Sequence, residues 1–305
     1  MAKPQSGVLP EANKSANLLT LNVAPGEAAA AAVRQAAAGL PNLNDEIAAL
    51  DPAARLASAI GIGAEAWTRI FGDATPDGLT PFTPFEDGGR SAPATPADLF
   101  LHLRAERFDL CFELTRRWAA GLGGAVETIE EVHGFRYLDS RDLTGFVDGT
   151  ENPKDEHRAE VALVPEGPHA GGSYVDIQRY VHDLATWNRL SVAAQEQIIA
   201  RTKADNEEFA AEDKPETAHI KRVSIKDDGV SVEILRHSLP YGTMDEHGLY
   251  FISYAGRPDS FRRMLERMIV ADPAGHYDHL MDYSRAVTGA SFFAPSRDWL
   301  EAQAD

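Results

Sequence analysis

From Ala16 to Val23 the chain alternates, with Leu18, Thr20 and Asn22 on one face and Leu19, Leu21 and Val23 on the other, which is the period of a strand. Pro25-Gly26 ends it, and the Ala-rich run Glu27 to Ala38 predicts a helix closed by Gly39. Arg55 to Ile60 predicts a second strand, and Ala64 to Phe71 a short helix. Gly72 to Pro96, rich in Gly, Pro, Thr and Asp, predicts a long irregular loop. Leu99 to Leu103 predicts a third strand. Arg107 to Ala120 predicts a helix with Leu110, Leu114 and Trp118 on one face, and Val126 to Tyr137 a fourth strand. After a polar connector, Asp139 to Gly172, the order repeats. Strand Ser173 to His182 and helix Ser191 to Arg201, with Ser191 as N-cap, precede strands Val230 to Leu235 and Leu249 to Tyr254. Helix Pro258 to Val270 and strand Ala290 to Ala294 complete the pattern. Setting aside the short helix, two successive βαββαβ patterns predict an α+β, duplicated ferredoxin-like fold, with halves at residues 1–140 and 141–305. Helices cover one face of each antiparallel sheet. The other faces must meet each other, loops or a ligand.

The length of 305 residues suits two domains of roughly 150 residues. Asp and Glu number 47 against 29 Lys and Arg, a formal charge of −18, which argues against nucleic acid and anionic membrane surfaces as partners. The single cysteine, Cys111, excludes a disulfide framework, a Cys-based zinc site, an iron–sulfur cluster and C-x-x-C-H haem attachment. Flanked by Leu110 and Phe112, it reads as a core residue. The polar stretch Met1 to Pro10 lacks the basic start and apolar core of a secretory signal, and no run of about 18 apolar residues exists, so the expected compartment is the cytoplasm.

Gly61-Ile62-Gly63-Ala64-Glu65-Ala66 follows a strand and opens a helix, as a dinucleotide fingerprint does. The helix is short and leads into the long loop rather than a parallel strand, so the segment reads as glycines at a tight turn. Gly145-Phe146-Val147-Asp148-Gly149-Thr150-Glu151-Asn152-Pro153 sets a carboxylate between glycines. It reads either as a turn that Asp148 caps, or as a proton acceptor held against the apolar pair Phe146-Val147. In Leu235-Arg236-His237-Ser238-Leu239-Pro240-Tyr241-Gly242, strand alternation puts Arg236 and Ser238 on one face and His237 on the other with Leu235 and Leu239. The first pair is a surface pair or a polar clamp. His276 and His279, with Asp278 beside them, read as solvated. His219 stands before an alternating segment, Ile220 to Ile225, read as a strand.

Together these segments resemble the dye-decolourising peroxidases, most closely the bacterial cytoplasmic B-type branch. Gly145-Phe146-Val147-Asp148-Gly149 matches their G-x-x-D-G motif, and Ala218-His219-Ile220-Lys221-Arg222-Val223 and Arg236 to Gly242 resemble their proximal-histidine and distal-arginine regions. The resemblance runs from Gln5-Ser6-Gly7-Val8-Leu9-Pro10 to Val287-Thr288-Gly289. It implies one non-covalent haem b per chain, between sheet and helices of the C-terminal half, and a peroxidase that reduces hydrogen peroxide and oxidises dyes, phenolics or other one-electron donors. His219 is implied as the axial ligand, Asp282 as the acceptor for its other ring nitrogen, and Arg201 as the partner of a haem propionate. Asp148 and Arg236 are implied on the distal face, relaying a proton and stabilising charge, with Thr150 and Ser238 as further haem contacts. Ser238 departs from the Asn that many B-type members carry. The same residues would serve a haem-handling protein, binding haem or releasing iron, with incidental peroxidase activity. Ser296 to Asp305 shows no Leu/Ile-Gly-Ser-Leu-like encapsulin-loading tag, so a free homo-oligomer is expected.

Overall fold

The structure is a computed structural model describing residues 2–304. Its first half runs β1 (Ser15–Val23), α1 (Glu27–Ala48), β2 (Ala57–Gly63), α2 (Ala64–Phe71), the hairpin β3 (Phe85–Asp87) and β4 (Arg90–Ala92), β5 (Leu99–Ala105), α3 (Phe108–Ala120) and β6 (Val126–Phe135). The second half runs α4 (His157–Ala162), β7 (Ser173–His182), α5 (Leu184–Trp187), α6 (Val192–Ile199), α7 (His219–Val223), the hairpin β8 (Lys226–Asp227) and β9 (Val230–Ser231), β10 (Leu235–Arg236), β11 (Leu239–Gly242), β12 (His247–Ala255), α8 (Ser260–Ile269), β13 (Ser284–Ala286), β14 (Ala290–Ala294) and α9 (Arg297–Glu301). This is the duplicated ferredoxin-like α+β architecture.

The two halves share one antiparallel sheet of ten strands, ordered β10-β12-β7-β14-β2-β5-β1-β6, with β11 on β12 and β13 on β7. The joint is β14, which pairs with β7 through Phe292↔Val175 and with β2 through Phe292↔Gly63. The uncovered faces do meet: Leu18, Phe100 and Val132 pack with Ile177, Leu235, Tyr250, Ile252 and Phe292 in one buried cluster. A Cβ on Gly134 would lie 2.9 Å from Leu239 Cβ, so the sheet curls until β6 abuts β11. On the outer face α1, α2 and α3 bury Val33, Trp67, Cys111 and Leu114. Burial pushes the Cys111 thiol up to about 12.

Four segments depart from their sequence pattern. Helix α1 passes Gly39 and Pro41 and ends at Ala48, because Val33, Ala37, Leu40, Asn44 and Ile47 continue one buried stripe whose burial offsets the Pro41 hydrogen-bond loss of about 3 kcal/mol. The expected strand Val230 to Leu235 is broken into β9 and β10. The alternating segment after His219 is helical, with Arg222 N–H donating to Ala218 O at 2.9 Å and the buried Arg222 guanidinium donating to Arg267 O and Asp272. The Gly61-Ile62-Gly63 glycines lie in a strand rather than a turn. A Cβ on Gly63 would lie 2.6 Å from the Ala97 carbonyl oxygen, and one on Gly61 would lie 2.9 Å from Phe292 Cβ.

Close approach therefore accounts for these glycines. Gly63→Ala is expected to cost about 1–3 kcal/mol by forcing backbone apart at the β2–α2 junction. Urea unfolding reads it, and an unchanged midpoint would remove close approach as the constraint.

Candidate functional site

His219 opens α7 and leans on the segment before β13. Its Nδ1 lies 2.6 Å from Asp278 Oδ2. The Asp278 side chain is fully buried, and its other oxygen accepts the Leu280 N–H at 2.9 Å. Two main-chain bonds set this geometry, Asp278 N–H to Met268 O and His279 N–H to Thr217 O, each 3.1 Å. The carboxylate fixes the ring with its proton on Nδ1, so Nε2 keeps its lone pair. Nε2 makes no hydrogen bond among the described residues, and the side chain is 23% exposed. Asp282, expected as the partner of His219, instead accepts from the Tyr277 hydroxyl at 3.2 Å on the surface. Asp278, read from sequence as solvated, is the buried acid. The chain turns inward at Asp278, while Asp282 ends the following 3-10 turn pointing outward.

The Gly145–Pro153 segment carries a second group of candidate residues. Positive φ at Gly145 (91°) and Gly149 (77°) lets it double back. Asp142, mostly buried, anchors its start; burial pushes that carboxyl up, but bonds from His182 and Thr144 outweigh it and hold the group below the usual carboxylate range. Phe146 is buried against Trp187, whose indole donates to Thr144 O at 2.9 Å. The same cluster takes Ile220 and Leu280, neighbours of His219 and Asp278, so the two groups share one apolar support.

Asp148 emerges from this support and pairs with Arg236, Oδ1 to Nη1 at 3.4 Å, while Oδ1 also accepts the Gly149 N–H at 2.7 Å. Oδ2 has no hydrogen bond among the described residues. The structure thus brings together the carboxylate and arginine that the sequence singled out. Asn152, to which the sequence gave no role, ties them: its amide donates to Arg236 O and accepts the Arg236 N–H, both at 2.9 Å. No side-chain pattern in the sequence marks Asn152, because both of its bonds are to the Arg236 backbone. Thr150 Oγ accepts from Asn206 at 3.0 Å. The buried Arg201 guanidinium is held by Asn206 O at 2.7 Å, by Glu208 at 3.2 Å and by Glu151. Ser238 shares the Arg236 side of the strand, but its hydroxyl accepts the Ile252 N–H at 3.4 Å. His237 points the other way, as expected, and is buried between Arg104 and Val8 O.

A single free imidazole nitrogen backed by a buried carboxylate suits a prosthetic group that brings its own in-plane ligands. No cluster of three or more His, Cys, Asp or Glu able to hold a bare metal ion occurs among the described residues. Arg201, already gathering carboxylates, has the chemistry to hold a propionate. These residues fit haem b.

The model described as "Dyp-type peroxidase, N-terminal" matches residues 5–136, and that described as "Dyp-type peroxidase, C-terminal" matches residues 139–299. A dye-decolorizing peroxidase of Mycobacterium tuberculosis is 42% identical over 276 residues, covering 89% of this chain and 82% of that one. A putative Dyp-type peroxidase from Shewanella oneidensis superposes with a TM-score of 0.95 at 45% identity, over 99% of both chains. A DypB variant of Rhodococcus jostii RHA1 in complex with heme does so with a TM-score of 0.95 at 41% identity, over 99% of both chains. On this match over almost its whole length, the chain belongs to the Dyp-type peroxidase family.

Proposed function

We propose that this chain reduces hydrogen peroxide at one non-covalent haem b, seated in the half formed by residues 141–305 between His219 on one side and Asp148 with Arg236 on the other. It is a peroxidase by family, and the observation that carries the site assignment is the His219–Asp278 pair at 2.6 Å with Nε2 left free. When bound, the haem supplies an iron that accepts the two oxidising equivalents of peroxide and passes them one at a time to dyes, phenolics or other reductants. His219 would hold the iron through Nε2. Asp278 keeps the proton on Nδ1 and raises the basicity of the ring.

On the other side, Asp148 Oδ2 is free to take a proton from one peroxide oxygen and return it to the other, directly or through a water. The Arg236 guanidinium provides a preorganised positive charge where negative charge develops as the O–O bond lengthens. Asn152 fixes the backbone from which Arg236 projects. Arg201, now paired with Glu151, whose side chain is 59% exposed, would be the residue to hold a haem propionate. Thr150 and Ser238 sit at the margins of this site. The same proposal includes a homo-oligomer in the cytoplasm and takes residues 1–140 as the N-terminal ferredoxin-like domain and 141–305 as the C-terminal, haem-binding one, joined through their shared sheet. It rests there on the family resemblance, and light scattering of the haem-loaded protein tests the oligomer.

His219→Ala is expected to abolish the Soret band of the haem-loaded protein. Asp278→Asn should weaken haem retention about 10- to 100-fold and raise the ferric/ferrous potential, because a less anionic histidine stabilises ferric iron less. Asp282→Asn should change neither. Haem transfer to apomyoglobin and potentiometry check the pair, and a shift confined to Asp282→Asn would return the role to that residue.

Arg236→Ala is expected to slow the reaction with peroxide about 100- to 1000-fold, the usual loss for one preorganised donor. Asp148→Ala should slow it less, since a water can carry the proton. Stopped-flow spectroscopy ranks them, and a parent-like rate in Arg236→Ala beside an inert Asp148→Ala would make the carboxylate the main group.

A further inference from the structure

Arg236 does not stand alone on its sheet face. Register pairs Arg236 with Ser253, Ser253 with Asp176, and Asp176 with Ser291. Directly paired residues share a face, and strands lie ~4.8 Å apart, so Asp176 faces the same side as Arg236 about 10 Å across the sheet. Asp176 plays no part in the site above. Its Oδ1 accepts the Ser291 hydroxyl at 2.5 Å, and Oδ2 has no hydrogen bond among the described residues. Burial pushes its carboxyl up to about 6, against the opposing pull of Ser291.

Beside it opens a cleft of about 230 Å³ lined by Phe82, Phe85 and Tyr174 together with Thr83, Asp259 and Arg262. An apolar cavity of about 150 Å³ holds a benzene ring. The cleft therefore has room for one substituted aromatic ring and is too small for a multi-ring dye. At neutral pH a phenol still carries its proton, its pKa being about 10, and loss of an electron makes that O–H strongly acidic, so oxidation is easiest where a base takes the proton. A desolvated carboxylate with one free oxygen, at the wall of an aromatic cleft, meets that need.

We propose that this cleft seats a monoaromatic phenol and that Asp176 is the base that takes its proton. The inference rests on the peroxidase reading, which supplies the oxidant. The phenol O–H bond breaks, the proton bonds to Asp176 Oδ2, and one electron goes to an oxidising equivalent derived from peroxide. Two phenols and one hydrogen peroxide thus give two phenoxyl radicals and two waters.

The test uses haem-loaded protein with 2-methoxyphenol and with ferrocyanide, which gives up an electron without a proton. Asp176→Asn should lower kcat/KM for 2-methoxyphenol about 100-fold relative to that for ferrocyanide, the scale of a lost general base. Thr83→Trp should plug the cleft and abolish 2-methoxyphenol binding measured by calorimetry without peroxide. An unchanged donor ratio, both donors falling together in Asp176→Asn, or parent-like binding in Thr83→Trp overturns the inference. A haem-loaded parent that cannot oxidise ferrocyanide with peroxide would instead sink the peroxidase reading.

Discussion

The strand Ala290–Ala294 is hydrogen-bonded on one side to Ser173–His182 and on the other to Ala57–Gly63. Without it two separate sheets would each leave an edge of unpaired amides. With it, the inner faces close over Phe100, Tyr250 and Phe292, and each C-terminal strand has a fixed register. Register places Asp176, Ser253 and Arg236 in one row, since a slip of a single residue would send all three to the opposite face. The placement of these polar side chains on the outer side of the sheet thus depends on apolar contacts made on its inner side.

The charge distribution follows the same division. The chain carries −18 overall, yet its deeply buried charges include arginines held by oxygen atoms: Arg201, Arg222 and Arg104. Arg104 has no carboxylate partner among the described residues. It donates to Pro10 O at 2.5 Å and to His237 Nδ1 at 2.8 Å, and burial lowers its pKa to about 10. That second bond leaves the His237 proton on Nε2, where it meets Val8 O at 2.7 Å. The residue preceding His237 is Arg236. Of two adjacent residues, the inward His237 is therefore locked by the N-terminal half while its outward neighbour Arg236 pairs with Asp148.

Much of this was legible in the sequence. Period-2 and period-3.6 patterns located nearly all the long strands and helices, and glycine spacing marked the loop that carries Asp148. What failed did so where tertiary packing decides. Ile220 to Ile225 alternates like a strand, but the buried guanidinium of Arg222 needs the turn that α7 makes. Asp278 and Asp282 lie four apart in one short turn, and composition cannot tell which carboxylate turns inward. That choice belongs to main-chain bonds with Met268 and Thr217, on segments distant in sequence. Asn152 was passed over because its partners are backbone atoms of a strand far along the chain, which no side-chain pattern reveals.

The position of Cys111 bears on how such a protein outlasts its own reactant. Peroxide attacks thiolates, not thiols, and the first product is a sulfenic acid that can be driven on irreversibly. Here the sole thiol is packed inside α3 against the sheet, and burial pushes it up to about 12, so almost no thiolate forms at neutral pH. Among the described residues the most exposed sulfur-bearing side chain is instead Met244, 97% exposed in the turn between β11 and β12. A sulfoxide there disturbs no packing, and it can be reduced again. Oxidation at Met244 would therefore leave the packed core untouched.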